Sequence, residues 1–584
     1  MKQRITAVVA TIMIVALSFG SISFASGTNE IPGGYVAPPT KPSDGVGAFI
    51  RSLSGMTDAE IQQALDALAV PDANAQNTVK VSSFTIAGDD PLAVDPNIVL
   101  AQYLNKPLSM DQLNKLVELM TNYYRQHDYP VAVVYMPQQE IANGKVKFAL
   151  LIGKYGAITL NNSTVVADTA VLRQAYAVKS GDYITTSGLE KALLLVNDMA
   201  MANAKAEMSP GKEVGTADLK ISVFPDESRK YGGNVSLDNV GSQYTGMYEA
   251  GLGLYTNNLT ANADNFAVNG QLGYHPNDNA VNTWNGAASY RMPTAFLNGD
   301  FGVSVSYVNY YLGGTYWNLQ AQGSSVIESL NWNYALKRSQ LENQNLQVRF
   351  NVKQFNDTQG AITNSSTNSN VLEASVSLGG DSISRNWYTG LTTYNIGVTG
   401  GSWQTGGATN YLAQQNSSPA FALVSGEVYH KAYLSEQWSA DVDFTGQLAS
   451  CNLNPTDLFS LGGYNGVKAY AQGFAAGSQG LLGKLNVRYN IPWKPALSWW
   501  PEWQVLGFVD AGTVQIVRNA IPGVSINNQA IGDYGVGISM YSDIRLSLEV
   551  DYAWKMFYWD NNHGTTNDQG EGNNNFLVHV AYSF

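Results

Sequence analysis

The chain has 584 residues, too many for one ordinary domain and ample for a buried core. Lys and Arg number 33 against 46 Asp and Glu, a net charge of −13 that argues against nucleic acid as a partner. The single cysteine, Cys451, rules out an intramolecular disulfide framework and any multi-cysteine metal site. Charged residues make up only 14 %, while Tyr (33) and Gly (56) are abundant, which suits an all-β protein with aromatic interfaces.

At the N-terminus, Lys2 and Arg4 precede an apolar run from Ile5 to Phe19, and small residues lead to Ser23-Phe24-Ala25. A positive region, an apolar stretch and an A-x-A-like site predict a signal peptide over residues 1–25. Beyond it no apolar stretch reaches about 18 residues, so no helix is expected to span a membrane. In residues 26–77, Ile31-Pro32-Gly33-Gly34 and Ala37 to Pro42 read as extended linker. Thr57-Asp58-Ala59-Glu60 forms a capping box, after which Ile61, Leu65 and Leu68 share one helical face.

Two α/β units are expected next, over 78–153 and 154–228. In the first, Val79–Ala87 alternates as a strand, Pro96–Leu104 is helical, and Ser109-Met110-Asp111-Gln112 opens a longer helix carrying Leu113, Leu116, Val117 and Met120 on one face. Strands follow at Val131–Tyr135 and Lys145–Ile152, giving β-α-α-β-β with two helices on one sheet face. The second unit repeats this order, with a strand at Ala157–Leu160, helices at Ala167–Ala175 and Ser187–Met199, and strands near Ala202–Met208 and Ala217–Phe224. Tyr124, Arg125 and Tyr129, with Pro137, Gln139 and Gly144, match the Y-R-x-x-G-Y and P-x-Q-x-x-x-x-G pattern of polypeptide-transport-associated (POTRA) domains. Pro210, Gly211 and Gly215 match that family's P-G-x-x-x-G hairpin, where Pro and Gly also suit a turn on their own account. Asp128 stands where the family has Gly, and Asp tolerates a left-handed turn better than most residues.

From residue 229 to 584 the period becomes two. Phe301, Val303, Val305 and Tyr307 alternate with small or polar residues, as do Leu346, Val348, Phe350 and Val352, and Ile544, Leu546, Leu548 and Val550. This alternation predicts a membrane all-β fold, a transmembrane β-barrel of sixteen strands starting near 232, 247, 264, 282, 299, 324, 344, 370, 386, 420, 437, 480, 503, 533, 544 and 576. Connections alternate between short ones, such as Met540-Tyr541-Ser542-Asp543, and long Asn/Gly/Ser/Thr-rich ones, such as Gly400-Gly401 through Pro419. Trp493, Trp499, Trp500 and Trp503 are expected to mark an interfacial aromatic belt. The chain closes with Phe576, Val578, Val580, Tyr582 and Phe584 in alternation, which looks like the C-terminal recognition strand of bacterial outer-membrane proteins. That resemblance implies the barrel assembly machinery and outer-membrane lipid as partners.

Within the barrel region, Leu237-Asp238-Asn239-Val240-Gly241 with Thr245-Gly246 resembles the D-N-x-G…T-G opening of two-partner secretion transporters. In the long loop near 460–470, Gly462, Gly463, Val467, Lys468 and Tyr470 resemble the V-R-G-F/Y motif of the same outer-membrane superfamily, with Lys468 and Ala469 in the Arg and Gly positions. Phe508-Val509-Asp510-Ala511-Gly512 resembles its F-x-D-x-G strand. These residues predict an in-folded loop held by a Lys468–Asp510 pair, a single-point contact because lysine lacks the bidentate fork of arginine; the alternative reading leaves Lys468 solvated at an extracellular loop tip. Over nearly the whole mature chain the resemblance is to the two-partner secretion transporters (TpsB type, hemolysin secretion/activation protein family). It implies a plug helix in 26–77, where the residues alone read equally well as a surface helix before a linker. It further implies export of one large β-helical exoprotein (TpsA type, an adhesin or hemolysin) without nucleotide hydrolysis, with the POTRA domains in the periplasm.

The sequence gives no sign of an enzyme. The five histidines are scattered, no phosphate-binding loop occurs, and Gly380-Asp381-Ser382 falls in a predicted turn. Asp560, Asn562 and Glu571 have partial calcium-loop spacing, but Thr565 stands where that loop needs Gly. No catalytic residue, cofactor or metal is expected. The rival readings are an insertase of the same superfamily and a passive porin.

Overall fold

The computed structural model describes residues 78–584 except 227, 243, 295–297, 361–365, 385–388, 408–415, 493–501, 520, 522–525, 543–544, 563 and 567–571. The expected signal peptide, plug helix and linker, Trp493, Trp499, Trp500 and Glu571 lie outside the described residues. The chain divides into two compact units, one built mainly from the α/β region and one from the barrel.

In the α/β unit, β1 (Thr78–Lys80) pairs with β3 (Pro107–Ser109), and β2 (Ser83–Ala87), β4 (Val133–Tyr135) and β5 (Lys145–Leu151) form a sheet in the order β2-β5-β4. The alternation over Val79–Ala87 is thus two strands, parted where the Ser82 amide turns to donate to the Gly144 carbonyl at 2.8 Å. Asp95 caps the short α1 (Pro96–Val99). Ser109 and Gln112 close a reciprocal capping box at the start of α2 (Met110–Gln126), satisfying two otherwise orphaned amides. The apolar face of α2 buries Leu113, Leu116 and Met120 against Phe84 and Phe148, whose rings stack at 5.4 Å.

The second sheet has the order β6-β8-β7, from β6 (Lys154–Asn162), β7 (Asn203–Pro210) and β8 (Thr216–Phe224). Helices α3 (Asp168–Gln174) and α4 (Thr186–Asn197) supply Val171, Leu189, Leu193 and Val196 to a core with Leu219, Ile221 and Val223.

The remaining chain closes a sixteen-stranded antiparallel barrel in which each strand pairs with its neighbour in sequence. Its first half is β9 (Tyr231–Asp238), β10 (Tyr248–Asn257), β11 (Asn265–His275), β12 (Ala280–Pro293), β13 (Asp300–Tyr311), β14 (Ala321–Arg338), β15 (Glu342–Gln359) and β16 (Thr367–Ser384). The second half is β17 (Thr389–Gly407), β18 (Ala420–Tyr433), β19 (Trp438–Ala449), β20 (Gln479–Asn490), β21 (Glu502–Gln515), β22 (Asn528–Tyr541), β23 (Leu546–Asp560) and β24 (Asn574–Ser583). A short segment, Gly564–Thr566, pairs with the end of β23, but β23 also pairs directly with β24, so it is not a wall strand. Closure is made by β9 against β24.

Outward positions such as Val376, Leu378, Ile396, Val398 and Val424 are exposed and apolar, while Glu373, Asp441, Asp510, Asp533 and Asp551 on the other face are buried. An apolar exterior around a polar interior is the arrangement that lipid outside and water inside require. Among the described residues no helix is long and apolar enough to cross a membrane.

Two expectations need correction. The long connection after Gly400 starts later, because β17 runs through Gly400 and Gly401 to Gly407. A Cβ at Gly401 would lie 2.4 Å from the Phe421 ring, so this glycine makes room for a cross-strand aromatic rather than breaking the strand. Likewise Gly380, Asp381 and Ser382 lie in β16, not in a turn.

Candidate functional site in the barrel interior

The longest connection in the barrel, residues 450–478 between β19 and β20, folds against inward-facing residues of the wall. Its tip is built by glycines. Gly463 has φ +114, and a Cβ there would fall 2.0 Å from Gln472 Oε1. The Gly466 amide donates to the Gly463 carbonyl at 3.0 Å, and the Val467 amide to the Leu461 carbonyl at 2.7 Å, so the chain reverses tightly. At Gly462 a Cβ would meet the Ala471 carbonyl oxygen at 2.4 Å, since the two arms of the loop run against each other. Ala469, in the position the family gives to Gly, is absent from the positive-φ residues, so this backbone has no need of glycine there.

Lys468 Nζ lies 2.6 Å from Asp551 Oδ2 on β23 and 4.3 Å from the centre of the Phe508 ring. The expected Lys468–Asp510 pair is therefore corrected to Lys468–Asp551. Asp510 faces Asp533 directly across the β21/β22 ladder, and both are buried. Asp533 in turn accepts from the Ala469 amide at 2.6 Å, which carries the lysine past both carboxylates toward β23. Asp510 remains within the electrostatic reach of Lys468 without being its ligand.

The tip is held by more than its ion pair. Tyr470 donates its hydroxyl to the Phe557 carbonyl at 2.7 Å, and Asn575 Nδ2 donates to the Lys468 carbonyl at 2.9 Å. Phe459, Leu461, Val467 and Tyr470 pack with Phe508, Ile531, Ala553 and Tyr558 of the wall. Gly512, the last residue of the F-x-D-x-G stretch, is needed because a Cβ there would lie 2.4 Å from Leu461 Cδ2. A Cβ at Gly537 would fall 2.0 Å from Asp551 Oδ1, so that glycine clears space for the receiving carboxylate. Sequence reading missed Asp551. Its one visible signal was an acidic residue on the polar face of an alternating strand, which does not say what it meets.

The D-N-x-G stretch sits at the barrel's closure. Asn239 Nδ2 donates to the Phe576 carbonyl at 2.8 Å, and Asn239 Oδ1 accepts from the Val578 amide at 2.6 Å. Its amide thus prolongs the β9/β24 ladder where the strand itself has ended. Asp238 Oδ2 lies 3.3 Å from His579 Nδ1 across the same closure. A Cβ at Gly241 would meet the Gly246 carbonyl oxygen at 2.1 Å, which the tight bend back into β10 cannot tolerate. On β24, Phe576 and Tyr582 are exposed outward, as is Phe584 just past its end; Val578 and Val580 share that face, and Leu577, His579 and Ala581 are buried.

In the α/β unit the motif residues serve the fold. Tyr124 is fully buried in the core, and Arg125 Nε donates to the Ala132 carbonyl at 3.3 Å. Gln139 Oε1 accepts from the Lys147 amide and Gln139 Nε2 donates to the Lys147 carbonyl, both at 2.7 Å, while Nε2 also donates to the Pro137 carbonyl at 3.3 Å. Gly144 (φ +70) and Gly215 (φ +84) take left-handed turns, Pro210 ends β7, and the Gly211 amide donates to the Thr216 carbonyl at 2.9 Å. Tyr129 meets Tyr183 edge to face at 6.2 Å between the first and second modules. Beside it Asp128, at φ +80, accepts from the Ser187 amide at 2.7 Å and from Ser187 Oγ at 2.5 Å, capping α4 from the neighbouring module.

Comparison with known proteins bears on all three regions. Residues 215–532 match the haemolysin secretion/activation protein family ShlB/FhaC/HecB, and residues 80–153 match the ShlB-type POTRA domain. The heme/hemopexin transporter protein HuxB of Haemophilus influenzae (strain 86-028NP) is 26 % identical over 477 residues, 79 % of this chain and 82 % of that protein. The outer membrane transporter CdiB of Dickeya dadantii is 23 % identical over 481 residues, 80 % of each chain. The structure of CdiB from Escherichia coli shares the fold, with a TM-score of 0.69 at 17 % identity, covering 93 % of this chain and 99 % of that one. A sixteen-stranded barrel carrying an in-folded loop, POTRA modules ahead of it and a family match over more than half the sequence place this chain in the haemolysin secretion/activation family of TpsB-type outer-membrane transporters.

Proposed function

We propose that this transporter exports one large β-helical exoprotein of the TpsA type through its barrel, with loop 450–478 as the removable barrier. The observation that carries the reading is the seating of the loop tip. A lysine with a side chain 12 % exposed is matched to a carboxylate that is fully buried, on a wall otherwise suited to water. Such a pair is a weak source of stability but a good registry device, because it is satisfied in one position only.

The POTRA modules lie in the periplasm in this reading, and they receive the substrate. Strands β2 and β4 edge the first sheet and β6 and β7 the second, so each sheet offers backbone groups to an added strand. Strand addition gives affinity from main-chain hydrogen bonds and needs no nucleotide. Folding of the exoprotein outside, with the apolar burial it brings, makes the movement one-way. The outward face of β24 meets outer-membrane lipid and is the part read by the barrel assembly machinery.

The decisive test pairs conductance with secretion. Lys468→Met keeps length and removes the charge, leaving Asp551 buried without its cation, a loss of about 3–5 kcal/mol for a buried pair broken on one side. Single-channel conductance in a planar bilayer is expected to rise several-fold, and secretion of the cognate exoprotein to change with it. Unaltered conductance and unaltered secretion would remove the loop as barrier. Depletion of the protein should abolish one surface protein; broad loss of outer-membrane barrels would instead identify an insertase.

A further inference from the structure

The tip accounts for only one end of loop 450–478. Its stem, residues 450–458, packs on a different part of the wall. Cys451 and Leu453, with Leu458 beside them, cluster with Phe355, Val371, Trp403, Phe421 and Leu423, separately from the cluster that holds the tip. At this place the wall also carries a buried ionic group. Lys353 Nζ on β15 lies 2.6 Å from Glu373 Oε1 on β16 and 2.5 Å from Asp457 Oδ1 of the loop, with all three side chains at most 10 % exposed.

The loop side of that group is rigidly presented. Asn454, fully buried, accepts from the Thr456 amide at 3.1 Å and from Thr456 Oγ1 at 2.6 Å, and its Nδ2 donates to Asp457 Oδ2. Gln447 Nε2 of β19 donates to the Asp457 carbonyl at 2.7 Å. Asn452 exchanges two hydrogen bonds with Asn519, at 2.8 and 2.7 Å, tying the stem to the connection between β21 and β22. One ammonium therefore serves two carboxylates, one on the wall and one on the loop, in a site from which water is excluded.

We propose that Lys353, Glu373 and Asp457 are a second anchor, independent of Lys468–Asp551, that holds the stem in place when the tip lets go. The loop then swings about residues 458–460, where packing passes from one cluster to the other, and stays tethered to the β15/β16 wall. Lys353 and Asp457 are positioning residues in this account: they fix where the barrier pivots and how far it withdraws. The inference rests on the reading that the tip yields during transport.

Hydrogen exchange of the purified protein in lipid nanodiscs, without any exoprotein, tests it. Lys468→Met is expected to speed exchange of peptides from 461–475 at least tenfold while 450–458 stays within twofold of the unaltered protein. Lys353→Met, which leaves two buried carboxylates facing each other, is expected to speed exchange of 450–458 at least tenfold with the wall strands unchanged. Should Lys353→Met fail to insert, Asp457→Asn gives the same readout, since it weakens only the loop's side of the group. Equal deprotection of both stretches by Lys468→Met would overturn the proposal, as would full protection of 450–458 in Lys353→Met or Asp457→Asn. These exchange rates do not depend on secretion. If Lys468→Met leaves 461–475 protected, the barrier reading fails while the Lys353 variants still decide the second anchor.

Discussion

Three aspartates, Asp510, Asp533 and Asp551, stand on adjacent strands facing one lysine, and only Asp551 takes the ion pair. Asp551→Asn should therefore loosen the tip as much as Lys468→Met does. Asp510→Asn, which leaves the Lys468–Asp551 pair in place, should raise conductance less; equal effects of the two would restore Asp510 as the direct partner. The sequence made Lys468 visible because a lone cation among Val467, Ala469 and Tyr470 needs a buried anion. It did not reveal which anion, since that choice depends on how three strands bring their inward faces together, and spacing along one strand carries no such information. Asp128 shows the converse. It stood out only as a departure from a glycine, tolerable because Asp enters left-handed turns, yet its carboxylate caps a helix of the next module. Asp128→Gly keeps the turn and removes hydrogen bonds to a charged acceptor that contribute about 1.5–3 kcal/mol each. With Cys451 replaced, spin labels at Ile98 and Val214, both highly exposed, should report a broadened distance between the two modules while each stays folded. An unbroadened distribution would leave Asp128 a turn residue only.

At the level of strands and helices, alternation located the barrel wall well. The expected starts near 420, 437, 480 and 503 fall within a residue of the starts of β18, β19, β20 and β21, because an apolar outward face must follow the pleat residue by residue. Glycine misled where it sat inside strands. Gly401 and Gly380 read as turn residues, but both lie in long strands, and at Gly401 the missing side chain accommodates the Phe421 ring. The glycine of F-x-D-x-G works similarly, clearing Leu461 of the loop. Gly512→Val should thus displace the loop without touching a charge. We expect its conductance to match that of Lys468→Met, while Gly507→Val, where added bulk meets little, stays near the unaltered value. Helix α2 was legible to its first residue because Ser109 and Gln112 satisfy each other's backbone amides. Ser109→Ala should cost about 1 kcal/mol, seen as a lower denaturation midpoint of the α/β unit.

For the whole molecule, the outer face dominates behaviour in solution. With Val376, Ile396, Val424, Phe444 and Leu481 turned outward and exposed, dilution of detergent below its micelle concentration should drive the purified protein out of solution, which light scattering would record. Fold class and domain order were readable from period and motif because both are repeated many times along the chain. The stem anchor was not, because Lys353, Glu373 and Asp457 are far apart in sequence and each is unremarkable alone. The closure between first and last strands was also silent, and its shape has a mechanical consequence. Residues Asn234–Asp238 pair with His579–Ser583, a far shorter zip than that joining Glu342–Asp357 to Thr367–Ser382. A tensile load on the C-terminus meets its least resistance there, so the wall should peel from β24 first, and the Asn239 amide is the last stitch before the tear runs.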